Sequence, residues 1–432
     1  MLKKVAMTGV GLENVYNQTL QRIREQRGDR SRLGMEVLMW VSHSKRPLRI
    51  DELRHALAAD IESTDLDHEN LPPQDTVLGS CLGLVVVDEE TSTVRLIHYT
   101  LHKYLSQPGI LPNAHKTLAQ SCLTYLNFER VKGLPANQIS VVRDMPFLEY
   151  SSLYWGSHAK IGLSDHAKSL ALELLNRYSD HISATLLWDQ IQIPHPDPHS
   201  HHLFSGLHYA SYLGINALVH ALIRRKGCDL NQVDCMGFTP LVWASWKGNQ
   251  EAVGQLIIRS GIRLDKPGKD GRTPLHLASG EGHEGVVGQL LSGGCAGLNK
   301  TDKDGRTPLY HASSHGHEGV VRQLLSSYNI DPNLQNSDGQ TPLCSASRNG
   351  HAEVVKLLLA KNSIRPNRSN NYGRTPLWWA SSNGHEGVVR LLLARHDVDR
   401  NFTDHDGQTP LAAASMRGHM EIVALLQPRR FF

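Results

Sequence analysis

The sequence predicts a mostly α-helical protein: a helical front half carrying one β-hairpin, then a solenoid of repeated helix pairs. Three observations lead there. A Thr-Pro dipeptide stands at 239, 273, 307, 341, 375 and 409, every step being 34 residues. A period of about 20–50 residues marks stacked units that bury their faces against one another. A Gly follows each of those threonines nine residues later, at 248, 282, 316, 350, 384 and 418. In the front half, "LVVVDEETSTVRLIH" instead shows two β-rich runs around the polar "DEETST", which is a hairpin signal.

The unit is read from its residues. Thr serves as N-cap, its hydroxyl accepting a backbone N–H of the first turn. Pro at the first helical position loses nothing, because its missing donor had no intrahelical partner. The Gly closes a short first helix in the left-handed conformation, where a Cβ is unwelcome. In "HEGVVRQLL", Val320, Val321, Leu324 and Leu325 share one face of a second helix. A Gly two before each Thr, at 237, 271, 305, 339, 373 and 407, marks a tight turn. Ser205-Gly206 lies 34 residues before the first Thr-Pro, with Gly214 nine residues after the Ser, so a worn seventh copy begins there.

Turn, Thr-Pro-capped helix, Gly and second helix together resemble the ankyrin repeat over about 203–427, and "TPLH" with its following Ala stands intact at Thr273–Ala278. The period alone points elsewhere, since 34 is the tetratricopeptide spacing and ankyrin units usually run at about 33. The extra residue is expected in stretches such as "SSYNIDPN", between the second helix and the next turn. The resemblance implies that the His after each helix-closing Gly, such as His317 and His351, bonds backbone and ties repeats together. Ser at 211, 245, 279, 313, 347, 381 and 415 recurs too regularly for a set of nucleophiles. It is expected at a small-residue packing position, its hydroxyl bonded back to the preceding turn.

The front half divides into an N-terminal helix (1–29), a winged-helix-like unit (30–106) and a helical region (107–190). A His/Pro-rich linker (191–202) then precedes the solenoid (203–432). "LENVYNQTLQRI" places Leu12, Val15, Tyr16, Leu20 and Ile23 on one helical face. "MEVLMWVSH" and "PLRIDELRHALA" give two more helices, and "LPPQDTVLGSCLG" the helix before the hairpin. "HKTLAQSCLTYL", "EYSSLYWGSHA" and "HAKSLALELLNRYSDH" continue as helices.

"GLENVYNQTLQRI", "MWVSHSKRPLRIDELRHALA" and "CLGLVVVDEETSTVRLIHYTLHKYL" resemble the segment after the nucleotide-binding domain in fungal NACHT–ankyrin proteins. Those are STAND-type NTPases similar to NOD-like receptors, in which a nucleotide-driven switch couples a repeat sensor to an effector. The phosphate-binding loop G-x-x-x-x-G-K-[ST] occurs nowhere in this chain, and the "GVG" at 9–11 is no substitute. The family's ATPase is therefore not carried over, and the chain reads as a NACHT relative without its NTPase domain.

Other chemistries are excluded by the same reading. A net charge of +3 in 432 residues makes no bulk case for nucleic acid or an anionic membrane. The helix at 71–83 has no Lys or Arg, carries Asp75, and follows Asp60, Glu62, Asp65, Asp67 and Glu69. Such a helix repels a duplex. His195, His199, His201 and His202 have no Cys or Glu at ligand spacing and read as linker rather than a metal site. In "HEGVV" the second His of a zinc-protease motif is replaced by Val287, Val321 or Val389. No G-x-S-x-G elbow or Cys–His signature is visible, so no enzyme, cofactor or metal is expected. Six scattered cysteines without a C-x-x-C pair suit reduced thiols in the cytoplasm, with the nucleus an open alternative.

Function is therefore expected on the array. In ankyrin arrays the turn tips and first-helix surface line a groove that binds protein partners. Carried onto this chain, the lining is Trp246, Lys269, Asp270, Arg272, Glu281, Lys303, Asp304, Arg306 and His315. It continues with Asp338, Arg348, Asn371, Tyr372, Arg374, His405, Asp406 and Arg417. Trp246 stands where other copies carry Gly280, Ser314, Arg348, Ser382 and Met416, so it is expected to face outward, while Trp243 and Trp379 are expected in the core. The reading is a non-enzymatic interaction protein with an unidentified protein partner. It leaves open a split switch working with a separate NACHT-type NTPase, and an accessory factor in a fungal secondary-metabolite pathway.

Overall fold

The computed structural model describes residues 9–59, 63–134, 144–191, 203–294 and 297–427. The four linker histidines, Asp60, Glu62 and Cys295 lie outside them. Two compact units divide between Leu222 and Ile223.

In the first unit, α1 (Gly9–Arg24) buries Tyr16, Leu20 and Ile23 and leaves Leu12 and Val15 half-buried. The face read from the sequence is the face that packs. α2 (Asp29–His43) buries Val37, Leu38 and Trp40. Gly34 lets it approach the end of α4 (Gln74–Ser80), where a Cβ would meet the Ser80 carbonyl oxygen at 2.6 Å.

"PLRIDELRHALA" corrects one expectation. Its first residues do not enter the helix: Leu48–Arg49 forms a short strand, β1, and α3 begins at Ile50 and ends at Leu57. Pro47 precedes the strand, and the Glu52 carboxylate accepts the Arg49 N–H at 2.7 Å, which caps the helix where it starts. β2 (Val85–Val87) and β3 (Thr93–Leu96) are the expected hairpin, with Val85 opposite Leu96. β1 adds to its far edge, giving an antiparallel sheet in the order β1-β3-β2 with Leu48 opposite Val94. Three helices and this three-stranded sheet are a winged-helix domain.

α5 (Tyr99–Leu105) leads to α6 (Ala114–Leu126), followed by α7 (Glu129–Lys132), α8 (Leu148–Ala159), α9 (Asp165–Asn176) and α10 (Ile182–Ile191). α6 packs on α8, and an aromatic cluster fills the space toward α2. Trp40 meets the Phe147 ring edge-on at 5.4 Å, and Tyr125 meets it at 5.3 Å. The worn first repeat, α11 (Gly206–Leu213) and α12 (Asn216–Leu222), belongs to this unit. Tyr209 stacks on Trp155 at 5.2 Å, and Gly206 lies so close to the Leu175 carbonyl that no side chain fits. The compact division thus falls one repeat later than the start of the repeat pattern at 203.

The second unit is the regular array, six repeats of two helices. The first helices are α13 (Pro240–Trp246), α15 (Pro274–Gly280), α17 (Pro308–His315), α19 (Pro342–Asn349), α21 (Pro376–Ser382) and α23 (Pro410–Met416). Their partners are α14 (Gln250–Ile257), α16 (Glu284–Ser292), α18 (Glu318–Ser326), α20 (Ala352–Leu359), α22 (Glu386–Leu393) and α24 (Met420–Leu426). Each Thr caps as its hydroxyl accepts the third helical N–H, for example Tyr310 N to Thr307 Oγ1 at 3.1 Å. Gly316 takes φ 79° at the end of α17, and Gly305 φ 76° in the turn before it. The seam faces are buried as expected: Val320, Val321, Leu324 and Leu325 all lie inside.

Three ladders hold one repeat to the next. His283, His317, His351, His385 and His419 each reach back with Nε2 to a carbonyl 37 residues earlier, at 2.8–3.2 Å. The turn tips bond tip to tip: Lys269, Lys303, Ser337, Asn371 and His405 donate their N–H to the carbonyls of Met236, Asp270, Asp304, Asp338 and Tyr372. The third ladder escaped the sequence reading. Asn231, Asn299, Asn333 and Asn367 each accept an N–H 32 residues on and donate to a carbonyl 30 residues on, as in Asn333 to Arg365 N (2.8 Å) and Ser363 O (2.9 Å). It uses the stretch where the extra residue was expected.

The serine series corrects a second expectation. Ser279, Ser313, Ser347 and Ser381 are buried, but their hydroxyls make no hydrogen bond. Helices packed this closely need a small side chain, and size alone explains the position.

Candidate functional site

The candidate lining residues sit on two levels of the array: turn tips, and the exposed side of the first helices. At the tips, backbone bonds fix each loop while the side chains project. Lys269, Lys303, Asp304, Asp338, Asn371, Tyr372, His405 and Asp406 are exposed. On the first-helix side, Glu281, His315, Arg348 and Arg417 are exposed as well.

Five of the six tips are built on a side chain five residues before the Thr; before Thr273 that position is Gly268, and Asp270 Oδ1 accepts the Arg272 N–H instead. Asp234, Asp302, Asn336, Asn370 and Asp404 are all buried, and each Oδ1 accepts the backbone N–H groups two and four residues on. The sequence carried this signal at the same 34-residue period. The sequence reading passed over it because a buried carboxylate is uncommon unless its lone pairs are satisfied. Here the remaining oxygen is used too: Asp234 Oδ2 takes the Trp243 indole N–H at 2.7 Å, and Asp302 Oδ2 meets His311 Nε2 at 2.8 Å. Burial is the largest influence on His311 and pulls its pKa down; Asp302, opposing it, is held below the usual carboxylate range by backbone and His311 hydrogen bonds that outweigh burial.

The arginines before Thr are less free than a surface ladder implies. Arg272 lies 3.6 Å from Asp270 and 3.9 Å from Asp302, and Arg306 lies 3.2 Å from Asp304. Arg374 lies 3.3 Å from Asp404 and 3.9 Å from Asp406. All three are half-buried.

The tryptophans also differ from expectation. Trp243 is in the core as expected. Trp246 is half-buried rather than turned outward, because its ring leans on Trp243 at 5.2 Å and its N–H reaches Glu281 at 3.3 Å. Trp379, expected in the core, is half-buried, while its neighbour Trp378 is the buried one. Arg348 covers the Trp379 ring at 4.7 Å, and Arg374 covers Trp378 at 4.2 Å.

The structure thus gathers Arg306, His315, Arg348, Tyr372 and Arg374 with Trp378 and Trp379 along consecutive repeats. A cleft of about 320 Å³ opens at one end of this group, lined by Arg306, Tyr310, His311, His315 and Arg348 with neighbouring polar residues, while Tyr372, Arg374, Trp378 and Trp379 lie outside its lining. Among the described residues no group of His, Cys, Asp and Glu is arranged to hold a metal, and no helix is long and apolar enough to cross a membrane.

Comparison with known families fits this geometry. The ankyrin-repeat model matches three times, at 186–267, 255–336 and 328–401, together half of the chain, and a second ankyrin model matches 377–427. The chain belongs to the ankyrin-repeat family. Its ankyrin matches begin at 186, before the worn repeat. The model of the winged helix domain of GPI inositol-deacylase matches residues 21–124. Among solved structures, the chain is similar to the crystal structure of EF0377, an ankyrin repeat protein. The two are 25% identical over 43% of this chain and 95% of that one, with a TM-score of 0.41. Among curated proteins, none matches.

Proposed function

We propose that this ankyrin protein is non-enzymatic and captures a protein partner on the tip and first-helix face of its array. The observation that carries the reading is the run of arginine, histidine and aromatic side chains from Arg306 to Trp379, held on a backbone that its ladders make rigid. Arg, Trp and Tyr are the side chains most enriched among binding hot spots. Pre-organised loops lower the entropic cost of association. Affinity purification with the full chain as bait tests the proposal. A partner retained by the native chain and lost when Arg348 and Tyr372 are both replaced by Ala supports it; retention by that variant rejects it.

A second reading treats the chain as the regulatory and sensor part of a split switch, working with a separate NACHT-type NTPase. It is favoured by the front half, where the NACHT-like segments coincide with the winged-helix match. Recovery of an NTPase chain with the bait supports it. ATP hydrolysis by the purified chain alone would count against both readings.

A further inference from the structure

The array's cleft has a charge that the rest of the face lacks. None of the residues lining it is acidic, although Arg306 and Arg348 both border it. Arg272, Arg306 and Arg374 each have a carboxylate within 4.0 Å, but among the described residues Arg348 has none. Its guanidinium rests on the Trp379 ring with its fork open.

Hydrogen-bond donors around it are also left over. Asn370 is 5% exposed and Trp378 is 4% exposed, yet Asn370 Nδ2 and Trp378 Nε1 are buried with no acceptor. Arg306 Nε and Trp379 Nε1 are in the same condition. Arg374 joins these groups, since its backbone N–H bonds Asn370 and its guanidinium covers both indoles. Buried donors without acceptors are costly, and most native structures avoid them. Of the residues carrying them, Arg306 lines the cleft, while Asn370, Trp378 and Trp379 all belong to the repeat after that of Arg348.

We infer that this cleft is a carboxylate subsite, and that the partner presents an acidic peptide segment whose Glu or Asp side chain seats between Arg306 and Arg348. Guanidinium and carboxylate match as two parallel charge-assisted hydrogen bonds. A nucleic acid offers anions as well, but its continuous phosphate chain would run past exposed Asp304, Asp338 and Glu281. A single carboxylate entering from outside avoids them. The inference rests on the proposal that this face is the binding face, and it names the chemistry of that face.

The test uses the full chain and a fluorescently labelled decapeptide of alternating Glu and Ser, with a Gln-for-Glu peptide and a single-stranded oligonucleotide as comparisons. Anisotropy should show saturable binding of the Glu peptide, weakening as salt rises. Arg348→Gln should weaken it about tenfold or more, since a charge-assisted bond is lost. Arg390→Gln, on the second helix α22, should leave it unchanged. Circular dichroism checks that both variants fold. Equal binding of the Gln peptide, no Glu-peptide binding, an Arg348→Gln variant that binds normally, or preferential oligonucleotide binding lost in Arg348→Gln would each overturn the inference. A partner still captured by the native chain in any of those cases leaves the binding-face proposal standing.

Discussion

The two units reach stability by different routes. The first has a core assembled once: Trp40, Tyr125, Phe147 and Tyr150 come from three separate stretches and meet at ring distances of 5.3–5.9 Å. The array has no such centre. Each repeat buries a small set of Val and Leu and then repeats three hydrogen-bond ladders at fixed spacing. Damage to a single assembled core spreads through its whole unit, whereas damage to a repeat stays with its neighbours.

The largest expected effect tests the first half of that contrast. Trp40→Ala removes a buried ring at the meeting point of the cluster and should cost about 3–5 kcal/mol. Hydrogen exchange should show protection falling through α2, α6 and α8 together. Loss confined to α2 would show that the first unit is itself modular.

The next effect tests the array. Gly316→Val forces a β-branched residue to φ 79°, and its Cβ would meet the His351 ring at 2.7 Å. Strain at such a position costs about 1–3 kcal/mol, and displacing His351 also removes its bond to the Ser314 carbonyl. Protection should fall in α17 to α20 and recover by α23. Uniform loss from α13 to α24 would break the nearest-neighbour picture.

Acid should separate the units. Burial holds His158 at about 3 and His181 at about 4 in the first unit, and His276 at about 4 in the array. His43, His55 and His115 in the first unit and His311 in the array are lowered in the same direction by burial, so five such imidazoles fall in the first unit and two in the array. These imidazoles stay neutral when folded and charge when unfolded, where the ordinary value is 6.5. The unfolded chain binds more protons, so stability is complete above 6.5 and is lost as pH falls from there toward about 3. The first unit should lose protection at the higher pH. Earlier opening of the array would contradict this.

The smallest effect is local. Thr307→Ala removes the hydroxyl that accepts the Tyr310 N–H and should cost about 1 kcal/mol. Thr307→Ser should restore most of it, as read by denaturant midpoint.

Sequence legibility followed the same division. The array's caps, glycines and histidine ties were readable because each appears five or more times, so a single worn copy does not hide the rule. The Asn ladder is broken at Asp265 and the buried Asp/Asn behind the tips at Gly268; the ladder's role depends on groups 30 or more residues away, and that of the tip residues on burial the sequence does not show. Strand β1 was missed because two residues carry no period. They are a strand only through pairing with β3, which lies 44 residues on.

The amino-acid order alone determined the repeat, its helix ends and its buried seam. Those follow from local rules: backbone conformation at Gly, capping by Thr, and side chains three and four apart on one face. Only the tertiary structure decided which side chains are free to bind. Arg272, Arg306 and Arg374 stand just before their Thr and Arg348 late in its first helix, and nothing in either position tells which guanidinium is paired. Three of them are neutralised by a carboxylate within their own or the next repeat, and Arg348 is left open above Trp379. Pairing is a property of distance between repeats, and that distance is set by packing rather than by spacing along the chain.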